Sequence, residues 1–208
     1  METYLPDEIE KKSFEIISRE MQGIDIDKEK APIIKRVIHT TADFEYVDNL
    51  VFSKNAVQNA IEALRNGVDI VTDTQMAMAG ISKTTALKSK TEIHCFISDP
   101  EVARLAKERR VTRASICMER AAEIKKPVIV AVGNAPTALI RLDELIKAGK
   151  VKPILIIGVP VGFVNVVESK ELIMKSGNEF IVAKGRKGGS NVAAAIVNAL
   201  LYMAYPRE

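Results

Sequence analysis

Two rhythms of hydrophobic and polar positions run along this chain. Five short runs are almost continuously apolar, rich in Val and Ile, and bounded by Gly, Pro, Asp or Ser: residues 68–73, 91–97, 128–132, 153–158 and 179–183. Runs of that length and composition predict strands, and their unbroken apolarity suits parallel strands covered on both faces. Between and around them the apolar positions recur every three to four residues. This predicts helices over 53–66, 100–109, 112–125, 134–148 and 190–205, with two more, 6–22 and 32–41, ahead of the first strand. Local punctuation agrees. Ser53 offers a cap and Gly67 a stop, Asp99-Pro100 opens one helix, and Gly149 ends another. Strand–helix alternation of this kind predicts a three-layer α/β/α fold around a mostly parallel five-stranded sheet, with extra N-terminal helices.

The loops that follow the predicted strands point to an anionic ligand. In open α/β sheets ligands bind beyond the carboxyl ends of the strands. There the chain places Asp73-Thr74-Gln75-Met76, Gly133-Asn134-Ala135-Pro136-Thr137, Gly158 to Phe163, and Gly185-Arg186-Lys187-Gly188-Gly189-Ser190. These loops are small and polar, and two lead straight into helices, whose free N–H groups attract anions. None has the spacing of a Walker A loop or of a dinucleotide fingerprint.

Composition narrows the classes. With 208 residues, 47% hydrophobic and 27% charged, the chain fits one globular domain over residues 1–208. The net charge of +3 is scattered rather than clustered and there is no Trp, so no nucleic-acid stripe is present. The polar N-terminal stretch 1–12 has no signal-peptide pattern, and no apolar run is long enough for a bilayer. Cys95 and Cys117, the two cysteines, build no disulfide framework and read as reduced thiols of a cytoplasmic protein.

Candidate chemistry rests on two histidines, His39 and His94. Histidine exchanges a proton near neutrality, which suits general acid–base work. His39 falls near the end of an amphipathic helix, where helical spacing brings it towards Lys35, Arg36 and Asp43. His94 lies inside a strand pattern and reads as structural. The histidines and cysteines show no metal-ligand spacing, so no protein-bound metal is expected. No Ser sits in a nucleophile elbow.

Four segments together resemble the precorrin-8 methylmutase family of cobalamin biosynthesis: RVIHTTAD at 36–43, GNAPTAL at 133–139, GVPVGFV at 158–164 with ESK at 168–170, and GRKGGS at 185–190. They come in the family's order and span nearly the whole chain. The resemblance implies a flavodoxin-like fold and a homodimer whose substrate cleft lies near the subunit interface. It also implies an isomerase that moves a methyl group from C11 to C12 of the ring-contracted tetrapyrrole. Residue by residue, His39 matches the family's acid–base histidine. Ser13, in Ser13-Phe14-Glu15, matches a substrate-contacting serine, and Arg113, in Val111-Thr112-Arg113, an arginine at the substrate. Some members carry a tyrosine three residues before that serine. Here the position is Glu10, which does not inherit the role.

On this reading the substrate-binding set is Ser13, Arg113, Asp43, Gln75, Met76, Asn134, Thr137, Gly188 and Ser190, with Arg186 and Lys187 as further partners for carboxylates. Met78 and Phe163 are candidates for contact with the flat macrocycle. No cofactor is expected, and any cobalt belongs to the substrate. Two rivals stand beside it: a non-catalytic corrinoid carrier, whose usual Asp-x-His-x-x-Gly motif is absent, and a flavin- or nucleotide-binding α/β protein.

Overall fold

A computed structural model describes residues 5–206. Residues 1–4 of the polar N-terminal stretch and the last two residues lie outside that range. Six strands form one sheet: β1 (Leu50–Phe52), β2 (Asp69–Thr72), β3 (Ile93–His94), β4 (Val128–Val132), β5 (Leu155–Gly158) and β6 (Phe180–Ala183). Their order across the sheet is β1-β6-β5-β4-β2-β3. The five strands from β2 to β6 are parallel, and together they have the flavodoxin-type order, first and second strands on one side of the third.

The expected five-stranded sheet gains a sixth member. β1 pairs antiparallel with β6, Leu50 opposite Ala183 and Phe52 opposite Ile181. Its three residues are too few to show a period, and their pairing comes from backbone groups rather than from a patterned face. The expected strand over 91–97 shrinks to two residues, because β3 is an edge strand with a ladder partner on one side.

Alternate residues of the central strands feed two cores. Ile129 and Ala131 of β4 join one cluster, and Val128, Val130 and Val132 the other. The first is covered by α2 (Ala31–Thr41), α4 (Ala56–Arg65), α5 (Gln75–Gly80) and α11 (Ser190–Ala204). The second is covered by α7 (Pro100–Arg109), α8 (Arg113–Ala121), α9 (Pro136–Lys147) and α10 (Val166–Met174). The remaining helices are α1 (Pro6–Glu20), α3 (Tyr46–Asn49) and α6 (Lys83–Lys88). α11 is buried on most sides, and α2 packs along it through Ile33, Ile34, Val37 and Ile38. Each such side chain contributes about 1.5–3 kcal/mol on burial, so this stripe fixes the rotation of α2. His39, next along the helix, is thereby turned towards α1.

Local signals are mostly kept. Asp99 accepts from the Glu101 N–H, Thr112 accepts from the Ser115 N–H, and Gly67 and Gly149 leave their helices at positive φ. Ser53 is a correction: it caps nothing. It accepts the Phe180 N–H at 2.8 Å and donates to Glu179, and α4 starts three residues later. Four helices not expected from the pattern, α3, α5, α6 and α10, fill connections read as loops. Among the described residues no helix is long and apolar enough to cross a membrane.

Candidate active site

Ser13 and His39 are brought together. α1 crosses the end of α2 so that Ser13 Oγ lies 2.8 Å from His39 Nδ1. Phe14, next to the serine, stacks on the imidazole with ring centroids 5.1 Å apart. Arg36 lies over the Phe14 ring at 4.8 Å and pairs with Glu10 at 2.8 Å. Glu10 therefore has a structural partner in α2 rather than a tyrosine's place. The imidazole is clamped at one nitrogen and on one face. Nε2 has no hydrogen-bond partner among the described residues. Ser13 and His39 line a groove of about 410 Å³, whose other walls include Ile9, Ile16, Ile38 and Phe44.

Helical spacing suggested Lys35, Arg36 and Asp43 as neighbours of His39. Each has another partner. Lys35 Nζ donates to Ser18 Oγ, Arg36 pairs with Glu10, and Asp43 binds Lys187. The Lys187 contact carries information that the local sequence does not. Lys187 Nζ is 2.6 Å from Asp43 Oδ2 and 2.9 Å from Glu45 Oε2, so the Gly-rich loop after β6 is tied to the end of the His39 helix. The Lys187 ammonium beside Asp43 holds that carboxyl below its ordinary range. Lys187 was expected to meet substrate carboxylates, but it is engaged by two acids of its own chain. Arg186 instead lies over the Phe163 ring at 5.4 Å.

The same loop rests on a buried lysine. Lys170 of α10 is 1% exposed and donates from Nζ to Gly185 O and Lys187 O, both at 2.8 Å. It has no carboxylate partner among the described residues, and burial pushes its pKa down to about 8. Gly188 lies where a Cβ would sit 2.1 Å from Val159 O, so only glycine lets the loop press against the chain leaving β5. The Gly189 N–H closes that contact, donating to Val159 O at 2.9 Å.

At the usual ligand crevice of this topology, between the ends of β2 and β4, backbone donors already have an internal acceptor. The Asp73 carboxylate accepts the N–H groups of Gly133, Asn134 and Ala135, each at 2.8 Å. Those donors, ahead of α9, looked suited to a bound anion. Asp73 is that anion. Burial pushes its pKa up, against the pull of the three donors. Beside it Thr74 Oγ1 and Ser190 Oγ are 2.7 Å apart, and Gly133 packs against the Ser190 backbone so closely that a Cβ would lie 2.7 Å from Ser190 Cα. The carboxyl edge of the sheet carries these internal contacts, whereas the groove with Ser13 and His39 is lined from α1, α2 and the turn after α2.

The other expected site residues ring that edge. Arg113 is exposed in the first turn of α8, and its neighbour Thr112 bonds Thr137 Oγ1 at 2.8 Å, joining α8 to the start of α9. Gln75 is exposed and reaches Cys95 O at 3.4 Å. Met76 is 71% exposed and Phe163 82%, with Val161 and Val164 exposed beside it. These are large apolar side chains facing outward around a polar edge, while Met78 is half-buried. His94 has its structural place: Nε2 is 3.2 Å from Asp69 Oδ2, and Lys126 takes the other oxygen at 3.1 Å.

Comparison with known proteins places the whole chain. The family model described as Precorrin-8X methylmutase matches residues 8–203. A protein named cobalt-precorrin-8 methylmutase from Salmonella typhimurium (strain LT2) is 47% identical, with 95% of both chains covered. A precorrin-8X methylmutase of Pseudomonas aeruginosa is 39% identical over 92% of this chain and 93% of that protein. The crystal structure of precorrin-8x methyl mutase from Thermus thermophilus superposes with a TM-score of 0.86 at 37% identity, covering 94% of this chain and 96% of that one. Nearly full-length agreement in sequence and in fold shows that the chain belongs to the precorrin-8X methylmutase family.

Proposed function

We propose that this chain is an isomerase that moves a methyl group from C11 to C12 of precorrin-8 or its cobalt-containing counterpart, giving hydrogenobyrinic or cobyrinic acid, with His39 as the acid. The observation that carries the assignment to His39 is the Ser13 contact, which occupies Nδ1 and leaves Nε2 without a partner among the described residues, in a side chain that lines a groove.

A methyl shift between neighbouring ring carbons changes neither atom count nor oxidation state. It needs the macrocycle made electron-poor for a moment. Protonated at both nitrogens, His39 donates Nδ1–H to Ser13 and presents Nε2–H to a ring nitrogen of the substrate. The methyl migrates with its bonding electrons, and the proton returns to Nε2. Positioned proton transfer of this kind is worth roughly 10² to 10⁴ in rate. Phe14 on the imidazole face keeps the ring from turning away. No cofactor is required, and cobalt, where present, is part of the substrate.

The acetate and propionate arms of the substrate need cations and N–H donors. Arg113 is suited to clamp one in bidentate fashion. The α11 N-terminus, at Ser190, lends a positive dipole end. The macrocycle face rests on exposed apolar side chains such as Met76 and Phe163.

The groove of about 410 Å³ lies near the low end of the roughly 300–1,000 Å³ that encloses a drug-sized ligand. Its rim carries exposed Ile9, Ile16 and Phe44. A second copy covering that rim would complete the cleft, so the working form is a homodimer. The two free thiols fit a cytoplasmic setting.

The test is a visible-spectrum titration of hydrogenobyrinic acid with purified protein. Saturable binding with a shifted spectrum is expected. An unchanged spectrum with no co-elution would overturn the assignment.

A further inference from the structure

The ESK segment at 168–170 is a sequence signature whose lysine the methyl shift does not use. Lys170 is one of the largest side chains in the molecule to be fully buried, and it carries a cation into that position without an acid beside it among the described residues. Burying a lone ammonium is costly, and simple packing would be better served by Met or Leu. Its place is explained by what its two hydrogen bonds hold. Both acceptors are carbonyls of the loop after β6, on either side of Arg186. The backbone of Lys187 is one of them. From the same residue the side chain reaches outward to Asp43 and Glu45, immediately beyond the helix that bears His39.

We propose that Lys170 is a positioning residue for the reaction, acting through a relay from α10 to the loop, from Lys187 to Asp43 and Glu45, and so to the setting of His39. The relay runs through hydrogen bonds and the Lys187 side chain as far as the last turn of the helix that bears His39. Lys170 fixes the carbonyls of Gly185 and Lys187; Gly162 N–H holds Arg186 O at 3.3 Å and Gly189 N–H holds Val159 O, so the loop is pinned on both flanks. Lys187 then bridges the two acids. Asp43 in turn accepts the Glu45 N–H at 3.0 Å and donates its own N–H to Thr41 Oγ1 at 3.3 Å. Thr41 closes the helix, donating its hydroxyl to Val37 O at 2.8 Å, so this last turn spans His39, two residues from each. Ala42 stands at φ 53° in the left-handed region, which turns the chain so that Asp43 faces the loop. A neutral amine still has two N–H groups for the two carbonyls, so the relay holds in either charge state.

This inference rests on His39 being the acid, and its experiment separates the two ideas. Lys170→Met, Lys187→Met and the double variant are compared with the full chain for turnover of the tetrapyrrole substrate and for the ring NMR signals of His39. The chain has only two histidines, and a His94→Gln version assigns the signals. Lys170→Met is expected to lower kcat tenfold or more, with a smaller change in KM, and to shift the His39 ring signals. Lys187→Met should do the same in milder form. The double variant should be no worse than Lys170→Met alone, because both cut one relay. Wild-type kcat and unmoved signals in Lys170→Met, or losses that multiply in the double variant, would overturn the relay. Should Lys170→Met fail to fold, the exposed Lys187→Met decides: a native melting temperature with wild-type turnover and unmoved signals overturns it. Shifted His39 signals in a protein whose wild type does not turn the substrate over would instead overturn the functional reading and leave the relay standing.

Discussion

Ser13 Oγ and His39 Nδ1 stand 2.8 Å apart across the junction of α1 and α2, although 26 residues separate them in the chain. The contact decides which imidazole nitrogen is free. With Nδ1 taken, Nε2 is the nitrogen left for the proton transfer proposed above, and the serine both holds the imidazole and lines the groove.

Ser13→Ala removes that partner and leaves the imidazole free to rotate. A hydrogen bond of this type contributes about 0.5–1.5 kcal/mol net, which corresponds to at most about a tenfold loss in rate. Turnover is expected to fall by up to about tenfold in Ser13→Ala and to stay near wild type in Ser13→Thr, which keeps the hydroxyl. Steady-state kinetics on the two variants check this. Equal losses in both would mean that the serine acts by shape rather than by its hydrogen bond.

Asp73→Ala strips the acceptor from three N–H groups, those of Gly133, Asn134 and Ala135. A buried donor left unpaired costs about 1–3 kcal/mol, and water can rescue the outer two in part. The expected loss is about 3 kcal/mol, or a melting temperature lower by roughly 6–12 °C for a domain of this size. Thermal unfolding followed by circular dichroism reads it. An unchanged melting temperature would show that water replaces the carboxylate at no cost.

Lys170 makes stability depend on pH in a predictable direction. Its folded pKa is depressed to about 8 from an ordinary 10.5. Between those values the unfolded chain binds the proton and the folded chain does not, so stability rises as pH rises through that window. The gain is about 3 kcal/mol at most, at 1.36 kcal/mol per pH unit. Denaturant unfolding of wild type and Lys170→Met from pH 7 to 10.5 isolates it. The wild type should gain on the variant as pH rises, and parallel curves would count against the depressed pKa.

Gly188→Ala forces a Cβ to within 2.1 Å of the Val159 carbonyl oxygen, a backbone atom that cannot step aside alone. The loop must lift off the β5 end and carry Lys187 with it. Corrin affinity and turnover are expected to fall by tenfold or more, and limited proteolysis should show new cleavage within 185–190. Wild-type activity in this variant would show that the loop's seat is irrelevant to the site.

The fold was legible where burial on both faces wrote unbroken Val and Ile runs, as in β4 with all five residues buried. It was not legible where structure comes from backbone pairing or from buried polar groups. β1 is three residues held at an edge by the β6 ladder. α10 hides its helical period because Ser169 and Lys170, polar in sequence, are both 1% exposed and so do not mark a solvent face. At the site, the local helix pattern placed His39 correctly but paired it with Lys35, Arg36 and Asp43. Ser13 came only through family resemblance, since no spacing rule links α1 to α2. Asp73 and Lys170 went unassigned for the same reason: each acts on a loop that lies far away in sequence. Only the folded chain shows that Asp73 takes the three N–H groups expected to attract an anion.

The most direct test is single-turnover conversion of precorrin-8 and of cobalt-precorrin-8, followed by visible absorption, with wild type and His39→Ala side by side. The wild type should convert one or both fully to the methyl-shifted corrin. His39→Ala should bind the product corrin with a Kd within a few-fold of wild type while converting roughly 10² to 10⁴ times more slowly. Conversion by His39→Ala at the wild-type rate would contradict the assignment of the acid. No conversion by the wild type of either substrate would contradict the function itself.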